Sequence, residues 1–235
     1  MIGNLQDTFE YLNNFDFINI VDVGAANGLF RKEVFSHITK NNFWVGIEPN
    51  GGYNNDDVKK EYDLWFQNAI DDVDERKIMQ FNINQDAYCS SLLELNTEII
   101  TKDANKKNNL WYCPSEISTI ISVEDVEVVS LKELFDEIPK FQNELIHFLK
   151  IDAQGVDIRV VKSLKEYTKK TMFVMIESIV ETDNNLRLYK NQTSLTEDNE
   201  IMNQLGFKKL FDIDYSHICP EADVIYYNIN LLNLD

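Results

Sequence analysis

Residues 21–28 read VDVGAANG, and this stretch decides the fold. It joins an apolar run over residues 18–23 to a turn that contains two glycines, Gly24 and Gly28. Glycine has no Cβ, so the backbone of such a turn can approach a ligand closely. A strand that ends in a glycine turn and leads into a helix is typical of the nucleotide-binding half of a doubly wound α/β domain.

The segments after the turn continue this alternation. Residues 29–38 carry apolar side chains at helical spacing, and a second apolar run over residues 43–47 ends at Glu48. A carboxylate at this place can accept hydrogen bonds from both ribose hydroxyls of an adenosine. The order of strand, turn, helix, strand and acid therefore predicts an adenosine site at the carboxyl ends of the first two strands.

The composition of the turn indicates which nucleotide is bound. The three-glycine pattern of dinucleotide sites is absent, and Asp22 precedes the turn, where its charge would repel a pyrophosphate. S-adenosylmethionine, which carries an ammonium and a sulfonium, suits an acidic neighbour better. Two alternatives remain open: an NAD(P)-dependent oxidoreductase, and a non-catalytic Rossmann-like binding module.

The rest of the chain predicts one domain over residues 1–235. Further strands are predicted at residues 63–70, 77–83, 126–129, 145–151, 172–176, 207–213 and 222–227. A closing pair of strands after α/β units indicates a Rossmann-like, seven-stranded class I methyltransferase sheet, mostly parallel with a terminal antiparallel strand and with helices on both faces. Residues 1–16 are predicted to form an N-terminal capping helix, and the polar residues 94–125 a lid or substrate insertion.

Charge and composition disfavour some classes of partner and indicate a cellular compartment. With 22 basic and 40 acidic residues the net charge is −18, which disfavours nucleic acid and anionic membrane surfaces. The three cysteines have no metal-binding or disulfide spacing, which favours a reducing compartment. The amino terminus lacks the pattern of a signal peptide, and no apolar run reaches membrane-spanning length. A soluble, cytoplasmic protein is expected.

Two further acids follow buried runs, as Glu48 does. Asp152 and Glu177 are candidate catalytic residues because ligands bind at the carboxyl ends of parallel strands. A carboxylate there can act as a general base for a hydroxyl group. Asp152 has the alternative role of capping the helix that starts near residue 156, and Glu177 that of pairing with a lysine. No two histidines have metal-ligand spacing, so no metal is expected, although Asp152 and Glu177 together mark the place where one would bind.

Several motifs together resemble the FkbM-type methyltransferase family, within the class I S-adenosylmethionine-dependent methyltransferases. They occur in the family's order from about residue 20 to the end of the chain. The matching segments are VDVGAANGLF (21–30), GIEPN (46–50), CSSLLE (89–94), LKIDAQGVDIRVVKSL (149–164), MIES (175–178), LYKNQ (188–192) and QLGFKKL (204–210).

The resemblance implies O-methylation of a hydroxyl on a sugar or a related small molecule, with S-adenosylmethionine as the donor. On the cofactor side it implies contacts from Asp22, Gly24, Ala25, Asn27, Gly28, Glu48, Asn68, Ala69 and Ile70. On the acceptor side it implies Asp152 near the transferred methyl group, with Glu177, Ser90 and Ser91. His217, in the loop before the last predicted strand, is a further candidate for the acceptor side.

Overall fold

The computed structural model describes residues 2–53, 56–96, 119–180, 187–214 and 221–234. The helices are α1 (Leu5–Leu12), α2 (Leu29–Val34), α3 (Asp56–Lys59), α4 (Leu131–Asp136), α5 (Pro139–Asn143), α6 (Asp157–Lys162) and α7 (Leu195–Gln204). The strands are β1 (Phe17–Val23), β2 (Asn41–Ile47), β3 (Leu64–Phe66), β4 (Ala69–Ile70), β5 (Lys77–Asn84), β6 (Ile120–Val129), β7 (Ile146–Ile151), β8 (Thr171–Ile179), β9 (Phe207–Asp214) and β10 (Glu221–Asn228). Short 3₁₀ helices cover Ala26–Gly28, Phe35–His37, Gly51–Tyr53, Ala87–Cys89 and Lys165–Lys170.

Seven strands form the central sheet, in the order β3-β2-β1-β7-β8-β10-β9. The neighbours from β3 to β8 are parallel, whereas β10 runs antiparallel to both β8 and β9. The predicted seven-stranded, mostly parallel sheet with an antiparallel strand towards one end is confirmed. The strand order reverses between β1 and β7, so the carboxyl ends of these two strands flank the position where α/β sheets bind ligands.

Helices cover both faces of the sheet because the central strands are apolar on both sides. On β1, Val21 packs in the core with Leu134 of α4, and Ile20 packs on the opposite side with Phe9 of α1. A parallel strand covered by helices on both faces has no solvated side, which explains the nearly continuous apolar run in its sequence. The helix α1 lies within the segment that was expected to cap the domain.

The predicted third strand is divided between two sheets. We expected one strand over residues 63–70, but β3 joins the central sheet while β4 pairs with β6 in a second sheet of order β4-β6-β5. Between them, the side-chain amide of Asn68 donates a hydrogen bond to Glu127 of β6 at 2.8 Å. An apolar pattern predicts an extended chain but does not specify its partner, so the change of sheet was not visible in the sequence.

The second sheet also corrects the boundary of the predicted insertion. The strand β6 begins at Ile120 and pairs with β5, so residues 120–125 belong to a strand and not to a lid. These residues are exposed, and for this reason they show none of the alternation that identifies a half-buried strand. At the other end, Leu95 forms a bridge with Tyr189. Residues 97–118 of the predicted insertion lie outside the described residues.

Within the described ranges, no helix has the length and apolar character needed to cross a lipid bilayer.

A buried histidine joins β1 and β7 near the amino ends of these strands, at the opposite end from the glycine turn. The backbone amide of Asn19 donates to Nδ1 of His147 at 3.0 Å, and its side-chain amide donates to Leu145 O at 2.8 Å and to Glu144 Oε2 at 3.1 Å. Burial lowers the pKa of His147 to about 4. The imidazole is therefore neutral at physiological pH, as its role as an acceptor requires.

We predict that this histidine makes the fold sensitive to acid. Between pH 6.5 and 4 the unfolded chain binds a proton at His147 that the folded chain does not, so the unfolding free energy falls by about 3 kcal/mol as the pH falls through this window. In His147→Gln this contribution to the pH dependence of the unfolding free energy should disappear, as measured by urea denaturation at several pH values. Above pH 7.5 the two proteins should show parallel pH dependence. Equal slopes below pH 6.5 would contradict the assignment.

Candidate active site

A cavity of about 650 Å³, open to solvent, lies beside the carboxyl ends of β1, β2 and β7. Seven of the residues predicted for the site line it: Gly24, Glu48, Asn68, Ala69, Ile70, Ser90 and Asp152. The structure therefore brings together residues that are far apart in the sequence, as the predicted topology requires.

The glycine turn is fixed by its neighbours on both sides. The amides of Gly24 and Ala25 both donate to Ile47 O at the end of β2, at 3.0 and 3.1 Å. Gly24 has a φ of 75°, and a Cβ on it would lie 1.9 Å from the backbone oxygen of Asp152. Glycine is required at this position because β1 and β7 approach each other so closely. The absence of a Cβ also leaves room for a ligand beside the backbone.

Ala26 of the turn also lines the cavity, whereas Ala25, Asn27 and Gly28 do not. Ala25 is buried in the core, and Gly28 is buried with a φ of 61°. Asn27, with a φ of 53°, donates from its side-chain amide to the hydroxyl of Tyr88 at 2.9 Å. The Tyr88 ring stacks on Tyr53 with centroids 5.3 Å apart, and both rings line the cavity. Asn27 thus connects the turn to an aromatic pair at the cavity wall.

The structure places Asp22 beneath the turn and away from the cavity. Its carboxylate is fully buried, accepts a hydrogen bond from the Tyr62 hydroxyl at 2.8 Å and lies 3.2 Å from Nζ of Lys150. Burial raises its pKa, against the opposing effect of Lys150. The expectation that Asp22 lines the site is corrected, because alternation along β1 turns Val23 towards the cavity and Asp22 towards the opposite face.

Glu48 lies where the sequence placed it, at the end of β2. It is only 5% exposed, it lines the cavity, and its Oε1 accepts a hydrogen bond from the Asn50 amide at 2.7 Å. Burial raises the pKa of Glu48 to about 7, although the Asn50 amide acts in the opposite direction. A carboxyl group with this pKa changes charge within the physiological range, so its affinity for hydroxyl donors depends on pH.

The second sheet contributes an apolar section of the cavity wall. Ala69 and Ile70 of β4 lie in it with Phe81 of β5 and with Leu92. Asn68 adds a polar group beside them. A flat heterocycle with a polar edge matches this combination of apolar and amide groups.

On the other side of the turn, two carboxylates share one amide. The side-chain nitrogen of Gln154 donates to Asp152 Oδ1 at 2.8 Å and to Glu177 Oε2 at 3.2 Å. The Tyr189 hydroxyl shares its one proton between Gln154 Oε1 at 2.8 Å and Cys89 O at 2.9 Å, which restrains the amide. Asp152 faces the cavity with its side chain 40% exposed. Asp152 does not cap α6, whose start has no side-chain cap; the carboxylate of Asp157 instead accepts from the amides of Ala153 and Gly155 in the preceding loop.

Glu177 differs from its predicted setting. The strand β8 continues to Ile179, so Glu177 lies inside the strand and not at its end, and it does not line the cavity. The apolar run stops at Ile176, and this made the strand look shorter in the sequence. Burial raises the pKa of Glu177 well above its usual range, and the carboxylates of Glu221 and Asp152 raise it further. Glu177 therefore reaches the site only through Gln154.

The two serines have different positions. Ser90 lines the cavity, and its Oγ accepts from the Asn84 amide at 3.0 Å. Ser91 is buried behind the cavity wall, where its Oγ donates to Gln154 O at 2.6 Å. The loop that contains His217 lies outside the described residues.

Sequence reasoning missed several residues of the site. Lys150 lies within an apolar strand, and a lysine in a buried run is itself a signal, since a buried charge needs partners. Gln154, Tyr53 and Tyr88 carried no signal, because their positions follow from loops whose paths the sequence does not specify. In the described part of the chain, no group of three or more histidine, cysteine or acidic side chains is arranged to hold a metal ion.

Comparisons with known proteins agree with the predicted family. The family model described as methyltransferase FkbM domain matches residues 22–209. No curated protein sequence matches the chain.

Three of the solved structures that match this chain are the following. The methyltransferase FkbM from Methylobacillus flagellatus is 12% identical with a TM-score of 0.48, over 90% of this chain and 44% of that one. A SAM dependent methyltransferase from Aquifex aeolicus is 10% identical with a TM-score of 0.39, over 90% and 82% of the two chains. A putative rRNA-methylase from Clostridium thermocellum is 10% identical with a TM-score of 0.39, over 97% and 98%. The chain spans less than half the length of the first of these proteins.

We predict that Gly24→Ala lowers the unfolding free energy by about 3 kcal/mol, because the new Cβ meets Asp152 O and the left-handed φ is strained for alanine. Urea denaturation measures the change. Gly51→Ala is the matched control, since a Cβ there meets only Gln67 Nε2 at 3.7 Å. Equal stabilities of the two variants would show that β1 and β7 do not approach this closely.

Proposed function

The chain belongs to the methyltransferase FkbM domain family, and on this premise we propose that it transfers a methyl group from S-adenosylmethionine to a hydroxyl oxygen of a sugar, a glycan or a related small molecule. The observation that carries the proposal is a single cavity lined by Glu48 and Asp152, two carboxylates on either side of the Gly24 turn. One of them suits an adenosine and the other suits an acceptor hydroxyl.

The residues present fit S-adenosylmethionine. Glu48 is a buried acceptor for the ribose hydroxyls, and the section formed by Ala69, Ile70, Phe81 and Leu92 suits the adenine ring. Asn68 supplies an amide beside this section. When bound, the cofactor supplies a methyl group already activated by a positively charged sulfur. The protein therefore needs mainly to align the acceptor and to exclude water.

Asp152 is the residue that we assign to the acceptor. Its carboxylate faces the cavity, and Gln154 fixes the direction of one oxygen by a hydrogen bond at 2.8 Å. We assign to the other oxygen, which lies 3.5 Å from Nζ of Lys150, the role of orienting the acceptor hydroxyl and taking its proton, a contribution of roughly 10²–10⁴-fold to the rate. Ser90 on the same wall is assigned to acceptor binding, and Glu177 supports Asp152 through Gln154.

The charge of the protein supports a small acceptor. A net charge of −18 repels phosphate backbones, so we assign a small molecule or a glycan and not a nucleic acid. We place this reaction in the cytoplasm and in one domain. The oxidoreductase and the non-catalytic module remain as outcomes of the binding experiment described next.

We predict that S-adenosylhomocysteine binds and that its affinity follows the charge of Glu48. Ionised Glu48 accepts from both ribose hydroxyls, so the dissociation constant should fall about tenfold between pH 6 and 8, through the pKa of about 7. Calorimetric titration of Glu48→Gln should show weaker binding without this pH dependence.

Glu75→Ala is the control for the Glu48 variant, because it also removes one acidic charge but lies on the exposed segment before β5. Its affinity should equal that of the natural protein. A folded protein that binds NADH instead would indicate the oxidoreductase, and one that binds neither ligand would indicate the non-catalytic module.

We predict that Asp152→Asn lowers methyl transfer by at least about 100-fold and keeps the affinity for S-adenosylhomocysteine within about threefold, because the general base is lost and the adenosine contacts remain. The assay follows a radioactive methyl group from S-adenosylmethionine into a panel of sugars, amines and carboxylic acids. Transfer to amines alone would overturn the hydroxyl assignment. Full activity of the variant would remove Asp152 from the mechanism.

A further inference from the structure

Lys150 is an almost completely buried lysine in the middle of the sheet. It lies on β7, its side chain is 8% exposed, and it is not part of the cavity wall. A buried ammonium group is costly unless it is paired and hydrogen-bonded. The positions of its partners therefore indicate what the residue is for.

The ammonium group contacts two carboxylates. Nζ of Lys150 lies 3.2 Å from Asp22 Oδ1 and 3.5 Å from Asp152 Oδ2. Burial lowers the pKa of the lysine, but these carboxylates outweigh it and raise the pKa above its ordinary value. Lys150 is therefore charged at physiological pH. The fully buried Asp22 alone would balance this charge, whereas Asp152 belongs to the site.

The same ammonium group also binds the backbone of the glycine turn. Nζ lies 3.0 Å from the oxygen of Gly24 and 3.4 Å from the oxygen of Val23. The amide of Gly24 donates to Ile47 O of β2. Gly24 is thus held from two sides, by β2 through its amide and by β7 through Lys150. The carbonyl contacts satisfy donors of the buried ammonium group, and at the same time they join Lys150 to the turn.

We propose that Lys150 is a positioning residue that fixes the glycine turn and the Asp152 carboxylate relative to each other. This proposal rests on the function proposed above, in which the turn contacts the cofactor and Asp152 contacts the acceptor. Lys150 acts through these two groups and touches neither ligand. Preorganisation of this kind favours binding because the site does not have to order itself when the ligand arrives.

The experiment compares Asp22→Asn with the double variant Asp22→Asn/Lys150→Met. Removing Lys150 alone would leave Asp22 buried without its counterion and would endanger the fold, whereas the double variant removes both charges. Since Asp22 is already neutral in the reference variant, any difference between the two reports on Lys150 beyond its role as a counterion. Circular dichroism and urea denaturation establish that both variants are folded.

We expect the double variant to bind S-adenosylhomocysteine at least about tenfold more weakly than Asp22→Asn, because the Gly24 carbonyl has lost its donor. Without ligand, hydrogen exchange of the Gly24 and Ala25 amides should be at least about tenfold faster, while the amides of β8 keep their protection. Equal affinity and equal exchange in the two variants would overturn the proposal and leave Lys150 as a counterion.

The two readouts separate this proposal from the proposed function. If the natural protein does not bind S-adenosylhomocysteine, the proposed function fails, and the hydrogen-exchange comparison still tests whether Lys150 fixes the turn. If the natural protein binds and the exchange rates of the turn do not differ, the proposed function stands and the positioning role fails. If faster exchange spreads over β8 as well, Lys150 supports the whole sheet, and the specific role is also overturned.

Discussion

The close approach of β1 and β7 at Gly24 is the constraint on which the rest of the site depends. The backbone oxygen of Asp152 occupies the space that a Cβ of residue 24 would need. This contact puts the end of β7 directly against the turn, so a carboxylate that follows β7 lies beside the ligand that the turn would hold. The reversal of strand order produces this neighbourhood, and glycine makes it sterically possible. A larger residue would separate the two halves of the site.

Other residues perform the structural tasks around Asp152, whose side chain stays 40% exposed. Asp157 accepts the amides of Ala153 and Gly155 in the loop before α6, and Gln154 separates Asp152 from Glu177 while it binds both. Gln154 has a φ of 52°, a conformation that costs most residues energy and that persists only when the surroundings hold it. The hydroxyl of Tyr189 provides such a restraint. The loop after β7 therefore carries strain in order to present one exposed carboxylate.

The sequence predicted those parts that depend on periodicity and on the ends of buried strands. Glu48 and Asp152 were found because each follows an apolar run, and parallel strands bring such ends together. Asp22 was misplaced because an unbroken apolar strand does not reveal which face each side chain takes. The division of residues 63–70 between two sheets and the Tyr53–Tyr88 stack depend on tertiary partners. No local pattern encodes such partners, and Lys150 was missed because its contacts are equally distant in sequence.

The cavity lies at a seam, with its floor formed by the central sheet and its apolar wall by the small sheet of β4, β5 and β6. Several side-chain contacts cross this seam, among them the ion pairs of Arg159 with Asp71 and of Arg76 with Glu133. A ligand in the cavity would pack against apolar side chains of both sheets at once. Ligand binding then raises the unfolding free energy by mass action, by about 2.7 kcal/mol when the ligand concentration is one hundred times the dissociation constant. The survival of the folded protein against proteolysis would consequently track the supply of its methyl donor.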